Sequence, residues 1–179
     1  MPHKILFSTV LLFFIILPSL IAQEKETIHH KINKDIYINF SKAYDSLDYN
    51  LFASIHSSDM IRISGNGGEI KNVKTYLEGY KKRWNDPNRK PASINFRIFE
   101  RILSDSLTSD RGIYRVTYTT DKGKAKDSYG KFHVLLKLEN DSWRIVIDYD
   151  SNENKTINKQ SYESAYAISQ YPMYCKNKK

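Results

Sequence analysis

Apolar residues recur every three or four positions over residues 28–55: Ile28, Ile32, Ile36, Phe40, Tyr44, Leu47, Leu51 and Ile55. That spacing is one face of an α-helix. Asp48 can cap a second helical piece from Tyr49, so the pattern predicts a long helix followed by a short one. Met60 to Ser64 is a short strand candidate, closed by Gly65-Asn66-Gly67-Gly68. The glycine cluster lacks the lysine and the serine or threonine of a phosphate loop and reads as a turn. Asn72 then caps a third helix with Val73, Tyr76, Leu77, Tyr80 and Trp84 on one side. Asn85-Asp86-Pro87-Asn88 ends it, because proline cannot continue the hydrogen-bond ladder.

Further along, the period drops to two. Ile94, Phe96 and Ile98 alternate with Asn95, Arg97 and Phe99. Residues 113–120 are rich in β-branched and aromatic types. Tyr129 to Leu138 carries Phe132, Val134, Leu136 and Leu138 on one face, and Trp143 to Asp148 follows. Asp121-Lys122-Gly123 and Glu139-Asn140-Asp141 are the turns between them. Four strands on short turns predict an antiparallel, twisted meander. Helices first and the meander second predict an α+β domain, a curved antiparallel sheet wrapped around N-terminal helices. The domain is expected over residues 23–150. Residues 151–179 are rich in Asn, Lys and Ser, and are expected to form a tail or a short docking helix.

The N-terminus adds a destination. Lys4 precedes an apolar run from Ile5 to Leu17, and the segment closes at Ile21-Ala22. This predicts a secretory leader over residues 1–22, a mature start at Gln23, and export to a periplasmic or extracellular space. An uncleaved anchor is the alternative, because Leu20 fits poorly three places before the cut. The run is shorter than the about 20 apolar residues of a membrane span, so no stable span is expected once the leader is removed. The single cysteine, Cys175, cannot form an internal disulfide. The net charge of +8 falls to +7 without Lys4. Basic residues are scattered apart from Lys81-Lys82-Arg83 and the tail Lys176-Asn177-Lys178-Lys179, which points away from nucleic acid as a partner.

Ala43-Tyr44-Asp45-Ser46-Leu47-Asp48, the glycine turn before Asn72-Val73, Gly130-Lys131-Phe132, and Asn140-Asp141-Ser142-Trp143-Arg144-Ile145 with the later Asp148 form a loose set of motifs. In this order, over residues 30–150, the chain resembles the nuclear transport factor two-like superfamily, which includes SnoaL-like and ketosteroid isomerase-like proteins. Ser142 stands where a glycine is usual. The resemblance implies a cone with a pocket at its open end, used by some members for isomerisation, cyclisation or dehydration and by others only for ligand binding or dimerisation. Fold alone does not choose among these.

Asp148 and His133 are the candidate catalytic residues. A carboxylate drawn into an apolar pocket has its pKa raised and can serve as a general base. Period two puts Asp148 on a face with Arg144, Val146 and Asp150; the competing register turns Trp143, Ile145 and Ile147 inward and Asp148 outward. Both registers stay open, as does a shared face for His133 and Asp148. Phe40, Tyr44, Tyr80, Trp84 and Tyr118 are the candidate ligand-binding residues, with Tyr37 and Tyr114 beside them in the same aromatic set. His56 with Asp59 is a weaker pair, and His29-His30 lack further ligands at metal spacing. No metal site and no cofactor are expected. The leading expectation is a protein that binds a small apolar or aromatic ligand. An isomerase or cyclase using Asp148, with a tyrosine or His133 as oxyanion donor, comes second, and a non-catalytic homodimer third.

Overall fold

In the computed structural model, which describes residues 28–89, 92–120 and 122–175, the chain begins with the long helix α1 (residues 28–46). The expected leader, residue 121 of the expected turn and the basic tail 176–179 lie outside the described residues. Apolar residues spaced by four drift by about 40° per step on an ordinary α-helix of 3.6 residues per turn. The centre of α1, Asn33–Ile38, is wound more widely as a π-helix, with the Asn39 N–H reaching back to the Lys34 carbonyl. Ile32, Ile36, Tyr37, Phe40 and Ala43 are all buried as a result. Leu47, at φ 57°, takes the left-handed conformation that ends the helix. The Asp48 carboxylate then accepts from the Leu51 N–H at 2.9 Å and starts the short helix α2 (Tyr49–Ser54).

The hairpin of β1 (His56–Ser64) and β2 (Glu69–Asn72) leads into α3 (Val73–Trp84), where Asn72 accepts from the Thr75 N–H at 2.9 Å. The meander follows as β3 (Ala92–Leu103), β4 (Leu107–Thr119), β5 (Ala125–Glu139) and β6 (Ser142–Ser151). Asn140 and Asp141, at φ 49° and 59°, make the tight turn between β5 and β6 with the hand that a hairpin's twist favours. The curved sheet has the order β2-β1-β6-β5-β4-β3-β7, where β7 is Tyr166–Ala167, and does not close. It is not wholly antiparallel as expected. β1 and β6 run parallel, because the chain leaves β1 by way of β2 and α3 for the far side of the sheet, and returns through the meander.

Of the tail or docking helix expected after residue 150, the structure has two short helices and a strand packed on the sheet. Helix α4 (Lys159–Ser164) precedes β7 (Tyr166–Ala167), which pairs with β3, and α5 (Tyr171–Tyr174) then buries Tyr174 in the core. Among the described residues no helix is long and apolar enough to cross a membrane.

A buried ion pair ties these parts together. Arg101 on β3 and Asp110 on β4 are both 0 % exposed and lie directly opposite each other. The guanidinium engages both carboxylate oxygens, at 2.8 and 2.7 Å, and also donates to Asn33 Oδ1 at 2.9 Å. The Tyr37 hydroxyl donates to Asp110 Oδ2 at 2.6 Å, and the Tyr174 ring lies 5.4 Å from the guanidinium. Helix α1, the sheet and the C-terminal segment thus meet on one pair of charges. Removing one member of a buried pair strands the other. Arg101→Met should therefore lower stability by about 3–5 kcal/mol in urea denaturation, and adding Asp110→Asn should recover part of the loss.

Candidate functional site

The last strand of the meander carries the feature that builds the site. Leu136 pairs with Ile145 and Leu135 with Ile147, which leaves Val146 as an extra residue in β6. This β-bulge inverts the alternation of the strand. Trp143 and Ile145 point into the core before it, and Asp148 is buried after it at 8 % exposure. The two registers left open by the sequence are both realised, one on each side of the bulge.

Asp148 borders a cavity of about 370 Å³ between the sheet and helices α1 and α3. Its apolar wall comes from Ile36, Tyr37, Phe40 and Tyr44 of α1, Ile94 and Phe96 of β3, and Phe132 and Val134 of β5. Its polar wall comes from the other side of the sheet: Arg62 and Ser64 of β1, Glu69 and Lys71 of β2, and Asp148 and Asp150 of β6. Thr75, Tyr76, Gly79, Tyr80 and Arg83 of α3, Tyr114 and Val116 of β4, and Ile145 of β6 complete the lining.

The polar wall is a charge cluster. Arg62 and Asp148 are register partners, with Nη1 3.3 Å from Asp148 Oδ1, while Nη2 pairs with Asp150. Nη1 also donates to the carbonyls of Asp148 at 3.1 Å and Ile63 at 3.2 Å. The Tyr76 hydroxyl donates to Asp148 Oδ2 at 3.5 Å, and that of Tyr114 to Asp150 Oδ2 at 3.0 Å. Tyr114 reaches Asp150 from β4 by crossing β5 at Gly130. A Cβ on Gly130 would collide with the Tyr114 ring and hydroxyl, so this is a close approach that needs glycine. Burial pushes the Asp148 carboxyl up to about 6; Arg62 opposes the rise and Asp150 adds to it. Burial likewise raises Tyr80 to about 12, and raises Tyr114, where Asp150 adds to the effect. The phenols therefore stay protonated donors near neutral pH.

No protein-family model and no curated protein matches the chain. Solved structures do. An NTF-2 like protein of unknown function from Shewanella oneidensis MR-1 aligns over 63% of this chain and 90% of its own, at 22% identity and TM-score 0.53. A ketosteroid isomerase-like protein from Erwinia carotovora atroseptica aligns over 68% and 93%, at 16% identity and TM-score 0.54. Aln2 from a Streptomyces species aligns over 72% and 93%, at 13% identity and TM-score 0.60.

The chain has the nuclear transport factor two-like fold.

Within this nuclear transport factor two-like cone the sequence-predicted site residues separate into two groups. Asp148, Phe40, Tyr44 and Tyr80 line the cavity. His133, Trp84 and Tyr118 do not. His133 is on the opposite sheet face, across from Tyr149, with Nε2 2.8 Å from the Ser109 hydroxyl oxygen; β5 already turns Phe132 and Val134 inward, so His133 must point out. Trp84 is buried behind the lining, its ring 5.9 Å from Tyr44, 5.4 Å from Tyr80 and 5.0 Å from Phe52. Tyr118 sits beyond the cavity towards the end of β4, paired with Lys126. His56 and Asp59 also part company. His56 is buried, with Nδ1 2.7 Å from the Phe52 carbonyl oxygen and its pKa lowered to about 4 by burial, while Asp59 is exposed.

The nuclear transport factor two-like cavity also recruits Arg62, Tyr76 and Asp150, which sequence reasoning did not single out as site residues. Asp150 was legible in principle, two positions beyond Asp148 on the same face. Arg62 was not, because nothing local announces that β1 will pair with a strand 86 residues away. Among the described residues no group of three or more His, Cys, Asp and Glu side chains is arranged to hold a metal ion.

Proposed function

We propose that this domain binds a small organic ligand with an aromatic or apolar body and a polar end, and that it does so after export from the cell. The observation that carries the binding reading is the division of one cavity into an apolar aromatic side and a compact cluster of convergent polar groups. Ligand sites are commonly built this way, with apolar walls for affinity and a few placed polar groups for orientation. Support for export comes from Lys4 and the apolar run that follows it.

A second reading, proton transfer on a carbon acid, is favoured by one specific observation. Asp148 is a carboxyl held near neutrality at the cavity wall, with the Tyr76 hydroxyl beside it. A base works best when its pKa lies near the operating pH. Tyr80, a protonated phenol on the helix side of the cavity, would supply the hydrogen bond to a developing oxyanion, in place of His133.

Gly79 tests the binding reading. It lies on α3 at the cavity lining, and a Cβ there meets nothing within 4 Å. Gly79→Leu should fill the cavity from the helix side while keeping or raising stability, since leucine exceeds glycine in helix propensity by about 0.5–1 kcal/mol. Ligand-induced thermal shifts across an aromatic fragment library should vanish in this variant; a wild-type protein that shifts with no fragment removes the reading. For proton transfer, turnover should rise with pH through about 6 as Asp148 loses its proton, then level off. Asp148→Asn should abolish it, and equal rates in both proteins exclude Asp148 as the base. For export, N-terminal sequencing of the protein from its native host should start at Gln23, and an intact Met1 or Pro2 would count against cleavage.

A further inference from the structure

The cluster on the polar wall is unbalanced in both charge and hydrogen bonding. We propose that the cavity selects organic cations, specifically amines carried on an aromatic or apolar body, over neutral or anionic molecules of the same shape. This rests on the ligand-binding reading and names the class of ligand.

The donors in the cluster are committed to its own acceptors: Arg62 to Asp148, Asp150 and two carbonyls, Tyr114 to Asp150, and Tyr76 to Asp148. An ionised carboxylate offers about four lone-pair sites and no donor. The side chains of Asp148 and Asp150 each receive one contact from Arg62 and one from a tyrosine, which uses about half of what they offer. The wall therefore presents surplus acceptors, and a complementary ligand group must bring N–H donors. An entering anion would meet oxygens whose donors already point elsewhere.

Charge points the same way. Two carboxylates face one guanidinium, so the ionised cluster carries a net charge of −1. Lys71 is paired with Glu69 at 2.9 Å on the hairpin rim, and Arg83 lies on the helix side, 4.4 Å from the Tyr80 ring centroid, so the lining as a whole is neutral and its negative charge is concentrated at Asp148 and Asp150. The basic surface of the whole protein is screened over about 8 Å at physiological ionic strength, whereas buried charges are screened much less. The aromatic lining adds to the preference. Ring faces attract cations, and Arg62 already stands 5.7 Å from the Tyr76 centroid.

The pH dependence has a defined sign. The groups facing Asp148 are Arg62 from β1, Asp150 on its own strand, and Tyr76 and Tyr80 from α3, with Tyr114 from β4 reaching Asp150. Arg62 and the phenols keep their protons across the neutral range. As pH falls through about 6, Asp148 gains a proton and the cluster moves from −1 towards zero. Amine affinity should be full above that pH and decline below it, with no such change for a neutral isostere.

The experiment is calorimetric titration of the protein with three probes of matched shape: 1-naphthylmethylamine, 1-naphthylmethanol and 1-naphthoate. At pH 7.5 the amine should bind about tenfold or more tighter than the alcohol, with naphthoate weakest. The advantage should shrink at pH 5. In Asp148→Asn/Asp150→Asn, where Arg62 is left uncompensated, the order should invert in favour of naphthoate. Equal or tighter binding of the alcohol or naphthoate by the wild-type protein overturns the cation preference and leaves ligand binding standing. Failure of all three to bind overturns both. The wild-type comparison stands alone if the double variant does not fold.

Discussion

A strand that must bury tryptophan and isoleucine at one end and two aspartates at the other cannot keep a strict period of two. In β6, Trp143 and Ile145 belong to the core, and Asp148 and Asp150 belong to the cavity wall. One unpaired residue, Val146, shifts the phase between them. With a regular ladder instead, Ile147 and Tyr149 would face the cavity and both carboxylates would face solvent. Arg62 would then have lost its partners, and Tyr114 its acceptor. The polar side of the cavity therefore depends on a single irregularity in backbone pairing.

The same device recurs on β3. Ile94 and Ile98 point inward, the register shifts between Ile98 and Glu100, and Arg101 then points inward where regular alternation would turn it out. Arg101 meets Asp110 in the interior, and Tyr37 joins that pair to the cavity wall. Each bulge also bends its strand, which helps a sheet of this length curve around α1. Curvature and the inward turn of charged side chains thus have one cause. The two clusters differ in what surrounds them. Arg101 and Asp110 are sealed and satisfied by Asn33 and Tyr37, whereas the Arg62 cluster borders open cavity.

These irregularities explain what the sequence disclosed. Local signals were legible: Asp48 and Asn72 act as caps by the hydrogen bonds expected of them, and Phe132, Val134 and Leu136 share the buried face predicted for them. Pattern reading failed where tertiary pairing overrides alternation. In β1, Met60 is buried and Arg62 and Ser64 face the cavity, while Ile61 is 44 % exposed beside Ile147. The strand expected over residues 113–120 begins earlier, at Leu107, and its polar first half is held in the sheet with Asp110 opposite Arg101. The last residues left a tail and a docking helix both open, because Tyr174 finds its burial only against elements remote in sequence. His133 alternates with Phe132 and Val134 and so faces away from the apolar set of its strand, which is where the structure has it, outside the cavity lining.

The parallel pairing of β1 with β6 has a kinetic consequence. Arg62 and Asp148 are 86 residues apart, so their ladder closes a long loop whose entropic cost must be met before the contacts reward it. The meander hairpins and helix caps are local and can form earlier. During synthesis β1 can pair at once with β2, but its other edge waits for β6 to emerge and stays open in the interval. The charged wall of the cavity is thus among the last parts of the molecule to assemble, and the nascent chain is most exposed to misassociation along β1 until it does.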